Sequence, residues 1–162
     1  MPCHGAMIEL KDIIAVKPDM TIEAVMKLLN KKKLRTVPVI DDDNVLVGMF
    51  STKILLRHLL PVSVTMQDGL QRLGFIKGAA PSVGKRLSKI KKEKIEQYVD
   101  KEPVVLHTEI ALWEAIRYLT AHGSPLPVID TKTGKLEGLI SDQSMLELLE
   151  LPIEELEKLH LN

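Results

Sequence analysis

Two serines, Ser51 and Ser141, stand 90 positions apart, each closing a Gly-hydrophobic-hydrophobic-Ser run and opening a segment with helical spacing. A serine so placed can cap a helix, because its side-chain oxygen accepts from unpaired first-turn amides. The same amides, with the positive end of the helix, attract a phosphate. The two roles are compatible, and both point to binding. His4, His58, His107, His122 and His160 could each supply a general base, but none comes with a nucleophile elbow or a metal-binding spacing. Cys3 and His4 make only two ligands where a metal site needs three or four, so the pair reads as an idle terminus. Neither Gly-x-x-x-x-Gly-Lys-Ser/Thr nor Gly-x-Gly-x-x-Gly occurs. No catalytic constellation and no metal are expected.

The elements that must position the two serines come from a repeat. Leu34-Arg-Thr-Val-Pro-Val-Ile-Asp41 recurs loosely as Ser124-Pro-Leu-Pro-Val-Ile-Asp130, with Ile22-Glu-Ala-Val25 and Leu112-Trp-Glu-Ala115 upstream. In the first copy Ile22, Val25, Leu28 and Leu29 share one helical face, capped by Asp19 or Thr21. Val37–Ile40 and Val45–Phe50 read as a hairpin about a polar turn, with Pro38 at a strand start or edge. A helix from Thr52 to about Leu60 follows, burying Ile54, Leu55, His58 and Leu59. The second copy repeats the order with strand Val104–Leu106, helix Ala111–Ala121, strands Leu126–Ile129 and Leu136–Ile140, and helix Asp142–Leu149. Gly134 suits a positive φ in its turn.

The connection from Val62 to Tyr98 is too long for a plain turn. Ser82–Tyr98 reads as a basic helix with Val83, Leu87 and Ile90 on one face, and the glycines of Gln67–Pro81 suggest a mobile loop. Trp113 is expected to pack in the core or a dimer interface. Leu151–Leu159 reads as a short amphipathic helix with Pro152 near its first position.

Composition bounds the class. At 162 residues, 45% hydrophobic and 27% charged, the chain is globular, and two half-size units sharing one core fit it better than two large cores. Its 22 basic residues offset 22 acidic ones, so no net charge favours nucleic acid or an anionic membrane. One cysteine, no signal-like apolar core and no run of membrane-spanning length suggest a cytoplasmic protein.

The paired pattern of an apolar helix, hydrophobic-Pro-Val-Ile-Asp, a turn and Gly-hydrophobic-hydrophobic-Ser resembles the CBS domain, a unit that works as a tandem pair. The resemblance covers roughly Met7–Leu60 and Val99–Glu150. It implies an α/β (α+β) fold of two β-α-β-β-α repeats packed with pseudo-two-fold symmetry. The chain then divides into repeat 1 (1–60), an insertion with a basic helix (61–98), repeat 2 (99–150) and a C-terminal helix (151–162).

By the same resemblance, the module is non-enzymatic and regulatory, requires no cofactor, and takes AMP, ADP, ATP or S-adenosylmethionine in a cleft between repeats. The implied ligand contacts are Arg35, Thr36, Pro38 and Ser51 from the first copy. His107, Ser124, Pro127, Ser141 and Ser144 are those of the second. Arg35 would supply a cation for phosphate, whereas Ser124 at the equivalent place is uncharged. Where the family often carries an Asp for ribose, this chain has Ile54 and Ser144. Implied partners are a second copy in a homodimer and an effector protein, with no membrane and no nucleic acid. The alternative is a ligand-free dimerisation or docking scaffold, and binding of nucleic acid through Lys85–Lys94 is the third reading.

Overall fold

A computed structural model describes residues 3–60 and 79–160. The loop expected from Gln67 falls outside the described residues except at its end, because Ala79 to Pro81 are already helical. Along the chain run β1 (Ile8–Glu9), α1 (Ile22–Lys32), β2 (Thr36–Ile40), β3 (Leu46–Ser51), α2 (Thr52–Leu59) and α3 (Ala79–Ile90). β4 (Leu106–His107), α4 (Leu112–His122), β5 (Leu126–Ile129), β6 (Leu136–Ile140), α5 (Asp142–Leu149) and α6 (Ile153–His160) follow. Among the described residues no helix is long and apolar enough to cross a membrane.

The chain forms two compact units, neither of them a continuous segment. One, the four-stranded unit, comprises Met1–Ala15, Ile40–Val47 and Glu102–Asn162. Its sheet has the order β1-β6-β5-β4, with β5 antiparallel to β6 and β4 parallel to β5. Its core joins Leu106, Val128 and Ile140 of the sheet to Ala115 and Leu119 of α4 and Met145 and Leu148 of α5. Leu151 and Leu156 pack on that cluster, which docks α6 here.

The other, the two-stranded unit, comprises Val16–Val39 and Gly48–Lys101. It keeps the same plan in reduced form: Val16 bridges Val39 in parallel and Asp100 bridges Met49 antiparallel, flanking the β2-β3 pair. Pro38 lies third in β2, and its carbonyl accepts from Val16 N–H at 3.0 Å, so that flank asks no amide of the proline. Thr21, not Asp19, caps α1 by accepting from Ala24 N–H at 3.2 Å.

The incoming segments are exchanged. β1, at the start of the first copy, pairs antiparallel with β6 of the second, Ile8 opposite Leu139. Asp100, at the start of the second copy, pairs with Met49 of the first through hydrogen bonds of 3.0 and 2.9 Å. Both crossings pass over a repeated glycine. A Cβ on Gly48 would strike the Asp100 carbonyl, and one on Gly138 the Ile8 carbonyl.

The basic helix differs from its expected span. α3 begins at Ala79, with Pro81 in the first turn where its missing amide costs nothing, and ends at Ile90. The chain turns there because the carbonyls of Lys91 and Glu93 accept from the first amides of α1, Glu23 N–H at 3.1 Å and Ile22 N–H at 2.9 Å. Ile95, next in line, is then buried.

Candidate functional site

Each motif serine is the N-cap residue of its helix. Ser51 Oγ accepts from Ile54 N–H at 3.2 Å at the head of α2. Ser141 Oγ accepts from Ser144 N–H at 3.0 Å, and Ser144 Oγ accepts in return from Ser141 N–H at 2.9 Å, a reciprocal capping box. Ser144 Oγ also donates to the Ser141 carbonyl at 3.1 Å. The Ser144 hydroxyl thus spends its proton and one of its two lone pairs within its own first turn.

The residue that opens each hairpin closes the same helix end. In the two-stranded unit the Arg35 carbonyl accepts from Thr52 N–H, the first amide of α2, at 3.0 Å. In the four-stranded unit Ser124 Oγ accepts from Asp142 N–H, the first amide of α5, at 2.9 Å. One position is met by backbone and the other by a side chain. The exposed Arg35 side chain is therefore left over at the head of α2, while α5 presents the exposed Asp142 carboxylate. The two helix ends differ in sign, cationic at α2 and anionic at α5.

The other expected contacts are more scattered. Thr36 is half-buried at the start of β2, and Pro38 is buried behind it. Pro127 is buried opposite Leu139. His107 ends β4 opposite Ile129, its side chain exposed, and its carbonyl accepts from Ile110 N–H at 3.0 Å. The structure therefore gathers Ser124, Ser141 and Ser144 at one helix head, and Arg35 and Ser51 at the other.

The repeated aspartates have a turn-forming role that the sequence reading passed over. Asp41 accepts from Asp43 and Val45 N–H, each at 2.9 Å, and Asp130 from Lys132 N–H at 2.7 Å. Each folds its hairpin loop over itself. Asn44 and Gly134 take the positive φ values of 64° and 71° that these loops need.

Two sequence expectations are corrected here. His58 is exposed and sits edge-on to Tyr98 at 4.8 Å, because helix phase carries Leu55 and Leu59 to the core instead. Trp113 is 68% exposed, which overturns the core half of its expectation and leaves the dimer-interface half open, since Leu112, Ala115, Ile116 and Leu119 make the inward face of α4. Among the described residues no group of three His, Cys, Asp or Glu could hold a metal ion.

Two copies of helix, hairpin and serine-capped helix, each completed by a strand from outside the copy, define a CBS pair. The CBS domain family model matches residues 7–61 and 95–151, and the chain belongs to that family. A CBS domain-containing protein of Dictyostelium discoideum is 25% identical over 140 residues, 86% of either chain. Among solved structures, CBSX2 in complex with AMP is 25% identical, with TM-score 0.67, over 91% of this chain and 95% of that one. CBSX2 from Arabidopsis thaliana is 24% identical, with TM-score 0.68, over 97% and 96%. CbpB in complex with c-di-AMP shares the fold at 16% identity and TM-score 0.69, over 98% and 90%.

Proposed function

We propose that this protein is a non-enzymatic regulatory module that binds an adenosine-containing ligand of the AMP, ADP, ATP or S-adenosylmethionine type and signals its occupancy to an effector protein. The observation that carries this reading is the head of α2. There the Arg35 backbone accepts from the first amide of the helix, and the Arg35 side chain is exposed. A guanidinium and a helix N-terminus together suit a phosphate, the first by bidentate contact and the second by its dipole. The likeness to CBSX2, solved with AMP, supports the adenosyl part of the ligand. The head of α5 is the weaker candidate, because Asp142 adds negative charge where a phosphate would lie.

Thermal unfolding with AMP, ADP, ATP and S-adenosylmethionine tests this. A ligand at about a hundred times its Kd stabilises the native state by about 2.7 kcal/mol, which reads as a rise of several degrees. The rise should vanish in Arg35→Ala and survive in Ser124→Ala. A ligand-free docking module is the second reading. It is favoured by Ile54, which cannot accept from a ribose hydroxyl, and by Ser144, whose hydroxyl is already engaged. No response to any of the four ligands would select it.

A further inference from the structure

The neutrality of the whole chain does not hold within its units. The two-stranded unit carries 17 Lys and Arg against 6 Asp and Glu, a net of +11. The four-stranded unit carries 5 against 16, a net of −11. A balance taken over the whole sequence cancels these two fields, although a partner meets them separately. Six of the 17 basic residues fall between Lys85 and Lys94, in α3 and the turn after it. No Asp or Glu occurs from Ala79 to Lys92. This stretch lies between the two segments that match the family, so the family pattern does not call for its charge.

Folding sorts these residues by helix phase. Along α3, Val83, Leu87 and Ile90 make the inward stripe, and exposed Lys85 and Lys89 come two residues after the first two, about 200° round the helix. α1 is built the same way, with Val25 and Leu29 buried and exposed Lys27 and Lys31 following each by two residues. The turn after Ile90 joins the two helices. Its Lys91 and Glu93 carbonyls accept from the first amides of α1, and Ile95 N–H donates to the Met20 carbonyl at 2.9 Å. The backbone of exposed Lys92 and Lys94 is thereby fixed beside the start of α1. Arg86 is spent on anchoring α3, since its guanidinium donates to the Leu59 carbonyl at 3.2 Å. Two neighbouring acids are engaged as well: Glu23 pairs with Lys27 at 3.5 Å, and Glu93 accepts from the Tyr98 hydroxyl. Among the described residues, Lys85, Lys89, Lys92 and Lys94 have no acidic partner within 4.0 Å.

We infer that Lys85, Lys89, Lys92 and Lys94 bind the phosphate backbone of a double-stranded nucleic acid without reading its sequence. Unpaired cations held on a hydrogen-bonded frame suit an evenly charged polyanion, and each phosphate they meet releases its counterions. Lys85 and Lys89 stand about 6 Å apart along the helix axis, about the rise of two phosphates in one strand of a duplex. A lysine ammonium is a point charge that can meet a phosphate from any side, and such contacts carry no base code. What the face lacks narrows the occupant. Among the described residues from Ser82 to Asp100 no large apolar side chain is exposed. The face therefore has nothing to insert into a lipid surface and lacks the apolar centre of a protein interface. It also has no exposed aromatic ring on which the bases of a single strand could stack. The inference does not rest on the nucleotide reading, which concerns the head of α2.

Fluorescence anisotropy of a labelled DNA duplex of two helical turns, titrated with the full chain at several salt concentrations, tests it. The duplex should bind at low salt, and two duplexes of unrelated sequence should bind alike. The logarithm of the affinity should fall against the logarithm of salt with a slope of about −3 to −4, as four phosphate contacts give. Lys85→Gln, Lys89→Gln and Lys92→Gln combined should weaken binding about tenfold or more at low salt and flatten the slope by about two to three. Glutamine forms helix about as readily as lysine, so this variant keeps α3, which circular dichroism checks. The same charge taken from exposed positions of the four-stranded unit, with Lys132→Gln, Lys135→Gln and Lys158→Gln combined, should leave binding as in the wild type. A chain that leaves the duplex free at low salt overturns the inference, as does an equal loss in the two triple variants, which would make net charge the cause. A single strand held more tightly than the duplex overturns it too. So does tighter binding of poly-glutamate or of anionic phospholipid vesicles, the first giving the face to an acidic protein segment and the second to a lipid surface.

Discussion

A hydrogen in place of a methyl at Gly48 and at Gly138 decides where two other stretches of chain can lie, since a carbonyl from an exchanged segment occupies the Cβ position at each. Gly48→Ala and Gly138→Ala should each cost about 1–3 kcal/mol, by displacing that segment or straining β3 or β6. Gly84, in the exposed middle of α3, has no neighbour within 4 Å of a Cβ. Gly84→Ala should raise stability by about 0.5–1 kcal/mol, because alanine loses less backbone entropy in a helix. Urea unfolding of the three variants separates the two kinds of glycine. Tyr98 is the other residue with a physical signature. Burial, and then the Glu93 carboxylate to which its hydroxyl donates, push its pKa up to about 12 from 10.0. The folded protein therefore holds this proton more tightly than the unfolded chain. Its contribution to stability is complete below pH 10 and is lost as the pH rises towards 12. Phenolate absorbance should show one tyrosine ionising late, and Tyr98→Phe should remove that step and flatten the alkaline fall in stability.

Among the elements, α2 and α5 are capped by different means, and the difference can be measured. At α5 the serines satisfy each other, so Ser141→Ala and Ser144→Ala should each lower stability by about 1 kcal/mol. The double variant should lose less than the sum, since either change already breaks the box. Equal and additive losses in thermal melts would mean that the two bonds act separately. This cap also shows what the sequence made legible. Helix faces, hairpins and cap positions could be read because each depends on neighbours within a few residues. Leu126–Ile129, Leu136–Ile140 and Asp142–Leu149 fall where period and turn chemistry put them. Partners distant in sequence could not be read that way. The end of α3 is set by amides of α1 some seventy positions earlier, and the partner of the first amide of α5 lies 18 residues upstream, at Ser124. Ser144 looked like a spare hydroxyl because its bond runs to its own N-cap, which a family comparison reads as a ligand position. Trp113 could be read as core or as dimer interface because residue type suggests burial, and helix phase removed only the first.

Across the whole molecule, the repeat and the folded unit do not coincide. The four-stranded unit takes Ala6 and Met7 into its core and β1 into its sheet from the chain's first residues. It also takes the hairpin tip of the first copy, where Leu46 N–H donates to the Gly134 carbonyl at 3.1 Å and Leu136 N–H to the Asn44 carbonyl at 2.9 Å. A fragment of residues 95–162 keeps all of the second copy and loses each of these. Removing β1 bares the edge of β6 and uncovers Gly138, and losing Ala6 and Met7 opens the core beside Leu148 and Met145. The fragment should therefore show no cooperative thermal transition by circular dichroism, whereas the full chain melts cooperatively. A fragment melting within a few degrees of the full chain would mean that the exchanged segments are ornament, and that the second copy is a self-sufficient fold. The expected failure would instead make the exchange of strands a condition of folding, so that the four-stranded unit becomes stable only once the chain's first residues have been delivered to the second copy.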